Sequence, residues 1–143
     1  MTKTYSIGQA AQFSQLTIST LRYYDQLGLI PNLQRDASGQ RLFTATNLEA
    51  IAMISCLKNS GMKIKAIRQF MDWCQEGDST LKLRLQMFQD LQQSISQQLA
   101  QLQQTLAVVN YKCAYYQEVV NDGTEAQVCQ RAVSVHTLQA RAK

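Results

Sequence analysis

A mainly α-helical chain is predicted, with a helix-turn-helix unit and a small β wing followed by one long helix. Three observations predict it. Residues Leu81 to Val120 repeat apolar side chains at alternating steps of four and three. Two short capped segments flank a turn at Ser14-Gln15-Leu16 and lead into a turn-rich hairpin. The net positive charge lies entirely in the first half of the chain.

The elements follow in order. Ser6-Ile7-Gly8-Gln9 is a capping box that opens a first helix containing Ala10, Ala11 and Phe13. Thr17 caps a second helix running to Leu27, where Gly28 supplies a left-handed stop and Leu21 and Leu27 face the core. Two short helices joined by a turn of three or four residues make a helix-turn-helix. Asp36-Ala37-Ser38-Gly39 is turn-forming between Leu33-Gln34-Arg35 and Gln40-Arg41-Leu42-Phe43, which predicts a hairpin with Phe43 anchoring it. Thr46-Asn47-Leu48-Glu49 forms a second capping box ahead of a helix that stops before Gly61. Lys63 to Trp73 gives a fourth helix, with Ile64, Ile67, Phe70 and Met71 on one face. Glu76-Gly77-Asp78-Ser79 breaks it, and Asp78 or Ser79 caps the long helix, which Asn121-Asp122-Gly123 ends. The tail from Thr124 is polar, with a short helix expected around Ala126 to Val133.

The long helix carries its own implication. Its seam reads Leu81, Leu85, Phe88, Gln92, Ile95, Leu99, Leu102, Leu106, Val109, Cys113, Tyr116 and Val120, broken only by Gln92. About six heptads of this pattern specify a coiled coil. At 1.5 Å per residue the helix runs ~60 Å, about twice the span of a small domain. The preceding residues cannot cover such a stripe, so a second copy of the chain is the expected partner.

Composition narrows the class. The chain has 143 residues, 45% of them hydrophobic, which suits one compact domain plus an extended element. No apolar run approaches the ~18 residues of a membrane span, and residues 1–20 lack a secretory pattern, so a cytoplasmic protein is expected. Cys56, Cys74, Cys113 and Cys129 lie far apart with no CxxC pair, which argues against a zinc ribbon or disulfide framework. His136 is the sole histidine and no acid, base or nucleophile pattern surrounds it, so no catalytic residue, metal ligand or cofactor is expected. Residues 1–70 carry eight lysines and arginines against three acids, whereas residues 71–143 carry six against seven. The excess of five in the first half suits a polyanionic partner.

The residue types in that half fit nucleic acid. Thr17, Ser19 and Thr20 lie at the start of the second helix, the end that enters a major groove in helix-turn-helix proteins. Their hydroxyls reach base edges or phosphates. Arg22, Tyr23 and Tyr24 offer a guanidinium and two phenols to phosphate oxygens, although one tyrosine of the pair also suits the core. Arg35 and Arg41 sit on the hairpin, placed for a backbone or a narrow minor groove. Lys63 and Lys65 open the fourth helix, where a cation opposes the helix dipole and a bound phosphate would offset it; a solvated face also accounts for Lys65.

Taken together, Thr20-Leu21-Arg22-Tyr23-Tyr24-Asp25-Gln26-Leu27-Gly28-Leu29-Ile30 and then Arg35 through Gly39-Gln40-Arg41-Leu42-Phe43 resemble the MerR family of bacterial transcription regulators. Asn47-Leu48-Glu49-Ala50-Ile51 and Leu57-Lys58-Asn59-Ser60-Gly61-Met62 continue the resemblance, which spans residues 4–76 and, in architecture, the helix to about 120. Cys56-Leu57-Lys58 with Ser60-Gly61-Met62 is similar to the thiol- and aldehyde-responsive AdhR/NmlR branch. In that branch the matching cysteine is implicated in sensing electrophiles. From the residues alone Cys56 reads first as a small packing side chain of the third helix, and it is the resemblance that brings the sensing reading level with it; Lys58 would favour its thiolate only by approaching it. Metal sensors of the family pair cysteines in a loop after the dimer helix; here Cys129 stands without a partner nearby, and Cys113 occupies a seam position.

The resemblance implies a winged helix-turn-helix DNA-binding domain at 1–76, an antiparallel coiled-coil dimerisation helix at 77–121 and a short tail at 122–143. It implies a homodimer that binds an inverted repeat in double-stranded promoter DNA and distorts it for RNA polymerase, with paired recognition helices ~34 Å apart. The tail is shorter than the multidrug-binding domain of some relatives, so a large organic ligand is not expected. Two other expectations compete with sensing through Cys56. One is a regulator answering a different small effector or metal; the other is a coiled-coil adaptor whose basic half binds an acidic protein.

Overall fold

The computed structural model describes residues 2–126, 128 and 135–141. The elements are α1 (Ile7–Ser14), α2 (Ile18–Gln26), β1 (Gln34–Arg35), β2 (Arg41–Leu42), α3 (Ala45–Asn59), α4 (Ile64–Glu76), a 3-10 turn at Asp78–Thr80, α5 (Leu81–Asp122) and α6 (Val135–Arg141). The chain is mainly helical, and two compact units divide it at Phe88 and Gln89.

In the first unit the caps do what their chemistry dictates. The Ser6 hydroxyl accepts from the Gln9 amide while the Gln9 side chain accepts from the Ser6 amide, so two orphan donors of α1 are satisfied at once. Gln15 takes a left-handed conformation (φ 55°) to end α1, and Thr17 caps α2 by accepting from the Thr20 amide at 3.1 Å. Gly28 follows α2 at φ 68°, a region open to glycine at little cost. Ala10, Leu21, Leu29, Phe43, Ile51, Ile54, Leu57 and Ile67 are at most 1% exposed and bring α1, α2, α3 and α4 onto one core.

Several boundaries differ from expectation. The second capping box is Thr44 with Asn47, two residues ahead of the expected Thr46 and Glu49. Asn47 wins because its amide does more than cap: Oδ1 accepts from the Thr44 amide, and Nδ2 donates to the Pro31 carbonyl at 2.7 Å, which ties α3 to the loop after α2. The hairpin ladder is shorter than expected, pairing Gln34 with Leu42 and Arg35 with Arg41. Phe43 leaves the ladder to pair with Tyr5 through two backbone bonds of 2.8 and 2.9 Å, and its ring is fully buried. Lys63 is the N-cap of α4 rather than its first residue.

Neither Asp78 nor Ser79 caps the long helix. They form the 3-10 turn instead, and Thr80 does the work at the junction. Its buried hydroxyl lies 2.6 Å from the Trp73 carbonyl and 2.8 Å from that of Gly77, and it accepts from Arg84 Nε at 3.1 Å. Arg84 also donates to Gly77 O at 2.9 Å, so the Trp73 carbonyl of α4 and the Gly77 carbonyl after it find partners in the 3-10 turn and the first turn of α5. Phe70 packs edge-on against Phe88, with centroids 5.3 Å apart.

The second unit holds the rest of α5, a continuous helix of 42 residues in all. Gly123 (φ 75°) ends it as expected. Tyr115 is buried, stacks with Tyr111 and donates from its hydroxyl to Glu125 at 2.8 Å. The seam stays open in the single chain: Leu99, Leu102 and Leu106 are 56%, 65% and 56% exposed. The helix expected at Ala126 to Val133 lies outside the described residues except for Ala126 and Val128, which are in turns. No helix among the described residues is long and apolar enough to cross a membrane.

Candidate nucleic-acid interface

The α1–turn–α2 unit presents the opening turn of α2 outward. Ser19 and Arg22 are exposed, Thr17 is exposed, and Thr20 is half-buried with its hydroxyl 2.8 Å from that of Thr17. The two neighbouring tyrosines separate. Tyr23 is 45% exposed, whereas Tyr24 is 1% exposed and belongs to the core. Tyr24 stands three residues after the buried Leu21 and so shares its helix face, while Tyr23 is turned away from it. The ring of Tyr24 is thus withdrawn from the surface on which the other candidates lie.

The wing is rigid at its tip. Asp36 Oδ1 accepts from the Ser38 hydroxyl (2.6 Å), the Ser38 amide (2.9 Å) and the Gln40 amide (2.9 Å). The Ser38 hydroxyl, with the Gln40 and Ser38 amides behind it, holds the Asp36 carboxyl below the usual carboxylate range. Gly39 closes the turn at φ 81°. Arg35 and Arg41 face each other across the strands, and both bind one oxygen of Asp25 on α2, at 3.0 and 2.7 Å. Arg22, Gln40 and Arg41, with Ile7 and the backbone at Gly39, line a concavity of about 330 Å³ between the recognition helix and the wing. Asp25 and Gln40 adjoin these candidate residues and are passed over by sequence reasoning. An acid amid the bases, three residues after Arg22, was the available signal.

Lys63 and Lys65 are exposed at the start of α4 and share a second concavity of about 360 Å³ with Ala66, Gln69 and Met87. Arg68 is exposed on the same helix. Cys56 is exposed on α3. The Lys58 ammonium lies 5.6 Å from the Tyr24 ring centroid, a cation–π contact that links α3 to α2. Cys74 is half-buried, Cys113 is exposed in the seam, and Cys129 lies outside the described residues. Among the described residues no three His, Cys, Asp or Glu side chains group closely enough to hold a metal ion.

Residues 5–73 match the family model described as MerR HTH family regulatory protein. An HTH-type transcriptional regulator of Haemophilus influenzae is 38% identical over 115 residues, which is 80% of this chain and 85% of that one. The HTH-type transcriptional regulator AdhR of Bacillus subtilis is 36% identical over 90 residues, 63% and 64% of the two chains. Among solved structures, HiNmlR, a MerR family regulator lacking the sensor domain, crystallised bound to promoter DNA, superposes with a TM-score of 0.83 at 36% identity. That match covers 88% of this chain and 96% of HiNmlR. A MerR family transcriptional regulator from Bacillus thuringiensis gives 0.71 at 43% identity over 78% and 98%. A capped helix-turn-helix, an arginine-bearing wing and a long apolar-seamed helix, in that order and with those relatives, place this chain in the MerR family of transcriptional regulators, on its AdhR/NmlR-like branch.

Proposed function

We propose that the chain acts in the cytoplasm as a homodimer that binds an inverted repeat in promoter DNA and distorts it, so that RNA polymerase engages the promoter. The observation that carries this is the concavity shared by Arg22 of the recognition helix and Arg41 of the wing, on the same domain as the exposed Thr17 and Ser19 and the half-buried Thr20 at the opening of α2. Hydroxyls at the opening turn suit a major groove, and guanidinium groups suit the phosphates that border it. Tyr23 adds an exposed phenol, and Lys63 and Lys65 add charge at a helix N-terminus. The open seam of α5 supports antiparallel pairing of two copies, which holds two such surfaces about one DNA turn, ~34 Å, apart. Domain limits of 1–76 for the reading head and 77–121 for the pairing helix follow from this division of labour.

Regulation by electrophile, aldehyde or redox stress through Cys56 belongs to the same proposal. It is supported by the exposure of that thiol on α3 and by the likeness to AdhR. Modification at Cys56 would shift the balance between two dimer geometries, only one of which remodels the promoter. Gel-shift titration against salt tests the DNA reading. Phosphate contacts give a steep linear fall of log affinity with log salt, whereas an adaptor for acidic proteins binds no duplex. A promoter assay with formaldehyde or methylglyoxal tests the sensor, and an unchanged response in Cys56→Ser refutes it.

A further inference from the structure

Arg35 and Arg41 stand directly opposite one another on the two strands of the wing. Like charges in that position repel and destabilise a ladder. Asp25, 20% exposed on α2, resolves the conflict with a single oxygen: Oδ2 accepts from Arg41 Nε at 2.7 Å and from Arg35 Nη2 at 3.0 Å. A carboxylate on a surface built for a polyanion is electrostatically unfavourable in itself, so its presence there calls for a positioning role.

The two arginines are left in different states. Arg35 commits both terminal nitrogens, Nη2 to Asp25 and Nη1 to the Gly39 carbonyl at 3.1 Å. It braces the hairpin tip against α2. Arg41 commits only Nε, which leaves its terminal nitrogens out of the Asp25 bond. Those terminal groups form the edge of a guanidinium that binds phosphate with two parallel bonds. Arg41 lines the concavity with Arg22 and Gln40, and Arg35 is not on that lining.

We propose that Asp25 is a positioning residue that aims Arg41, together with Arg22, at one DNA phosphate and reserves Arg35 as a structural brace. The inference rests on the DNA-binding reading and assigns roles within it. It predicts an outcome opposite to that of net charge. Removing the Asp25 carboxylate makes the surface more positive, yet DNA binding weakens because Arg41 loses its aim and the facing arginines repel.

The test is fluorescence anisotropy of the full-length protein with a labelled mixed-sequence duplex of about three helical turns, titrated across salt concentrations. Arg41→Gln makes the slope of log affinity against log salt shallower by ~1.8, the contribution of one phosphate from each of the two protomers. Arg35→Gln leaves that slope unchanged. Asp25→Asn weakens binding several-fold with a shallower slope, and Asp25→Glu recovers most of it. Equal slope losses in Arg35→Gln and Arg41→Gln overturn the assignment, as does tighter binding by Asp25→Asn. Should circular dichroism show Asp25→Asn unfolded, the two arginine variants still decide. A wild-type protein that binds no duplex refutes the DNA reading itself, whereas wild-type binding with the variants in the wrong order refutes only the division of roles.

Discussion

Replacing Leu99 by alanine should weaken self-association of the chain without disturbing its first 88 residues. The seam from Leu81 to Val120 is symmetric about the midpoint between Leu99 and Leu102. An antiparallel pairing that overlaps the whole seam therefore sets Leu99 against the partner's Leu102. Leu99 is 56% exposed in the single chain, so a little over half of its side chain remains to be covered. Full burial of a leucine stabilises by about 1.5–3 kcal/mol, and the uncovered share contributes about 1–1.5 kcal/mol per copy. The residue occurs twice in a dimer, so the loss is about 2–3 kcal/mol. At 1.4 kcal/mol per decade, the dissociation constant rises about 30- to 100-fold. Sedimentation equilibrium over a range of loading concentrations reads this directly. Gln103→Ala, on an exposed position outside the seam, serves as the control and should change nothing. A Leu99→Ala protein that dimerises as tightly as the control would refute the assignment of the seam as the interface.

Three further outcomes are expected. Ser55 Oγ is buried with no hydrogen-bond partner, so Ser55→Ala relieves an unsatisfied group and should raise stability by about 1 kcal/mol in thermal denaturation; a loss would show that the hydroxyl is satisfied in the dimer. Thr80→Val keeps the shape but deprives Arg84 and the carbonyls of Trp73 and Gly77 of their shared partner, which should cost about 1–3 kcal/mol in chemical denaturation, whereas an unchanged midpoint would deny the junction its polar lock. The Asp36 carboxyl is held below its ordinary value of 3.8 by the Ser38 hydroxyl and two amides. A depressed carboxylate contributes stability that is present above its unfolded value and lost as pH falls through the folded one. The wing tip should thus keep its Gly39 and Gln40 amide shifts down to pH values below 3.8, and Asp36→Asn should abolish the transition seen beyond that point in an NMR titration.

Local chemistry made much of the fold legible. Ser6 with Gln9, Thr17, Gly28 and Gly123 are caps whose partners lie within a few residues, so a linear pattern contains them whole. The seam was legible because a coiled coil repeats one simple spacing. Choices between equivalent local solutions were not fixed by the pattern. Thr44 with Asn47 and Thr46 with Glu49 both have capping-box spacing, and the first forms, supported by a bond from Asn47 to Pro31, sixteen residues away. Asp25 meets Arg41 across the same separation, so the acid three residues after Arg22 marked Asp25 itself but not its partner on the wing. The choice between Tyr23 and Tyr24 stayed open in the sequence reading, although the spacing of three from Leu21 to the buried Tyr24 was a signal for it. Lys58 was read by its distance along the chain from Cys56, but its four-carbon stem carries the charge to the Tyr24 ring instead.

Hydroxyl-radical footprinting of the wild-type protein on the promoter DNA it controls bears most directly on a paired reader with a fixed span. The account predicts two protected patches of backbone related by a two-fold axis and centred about one helical turn, ~34 Å, apart, with altered cleavage in the DNA between them. A single protected patch, or uniform protection without a dyad, would contradict it.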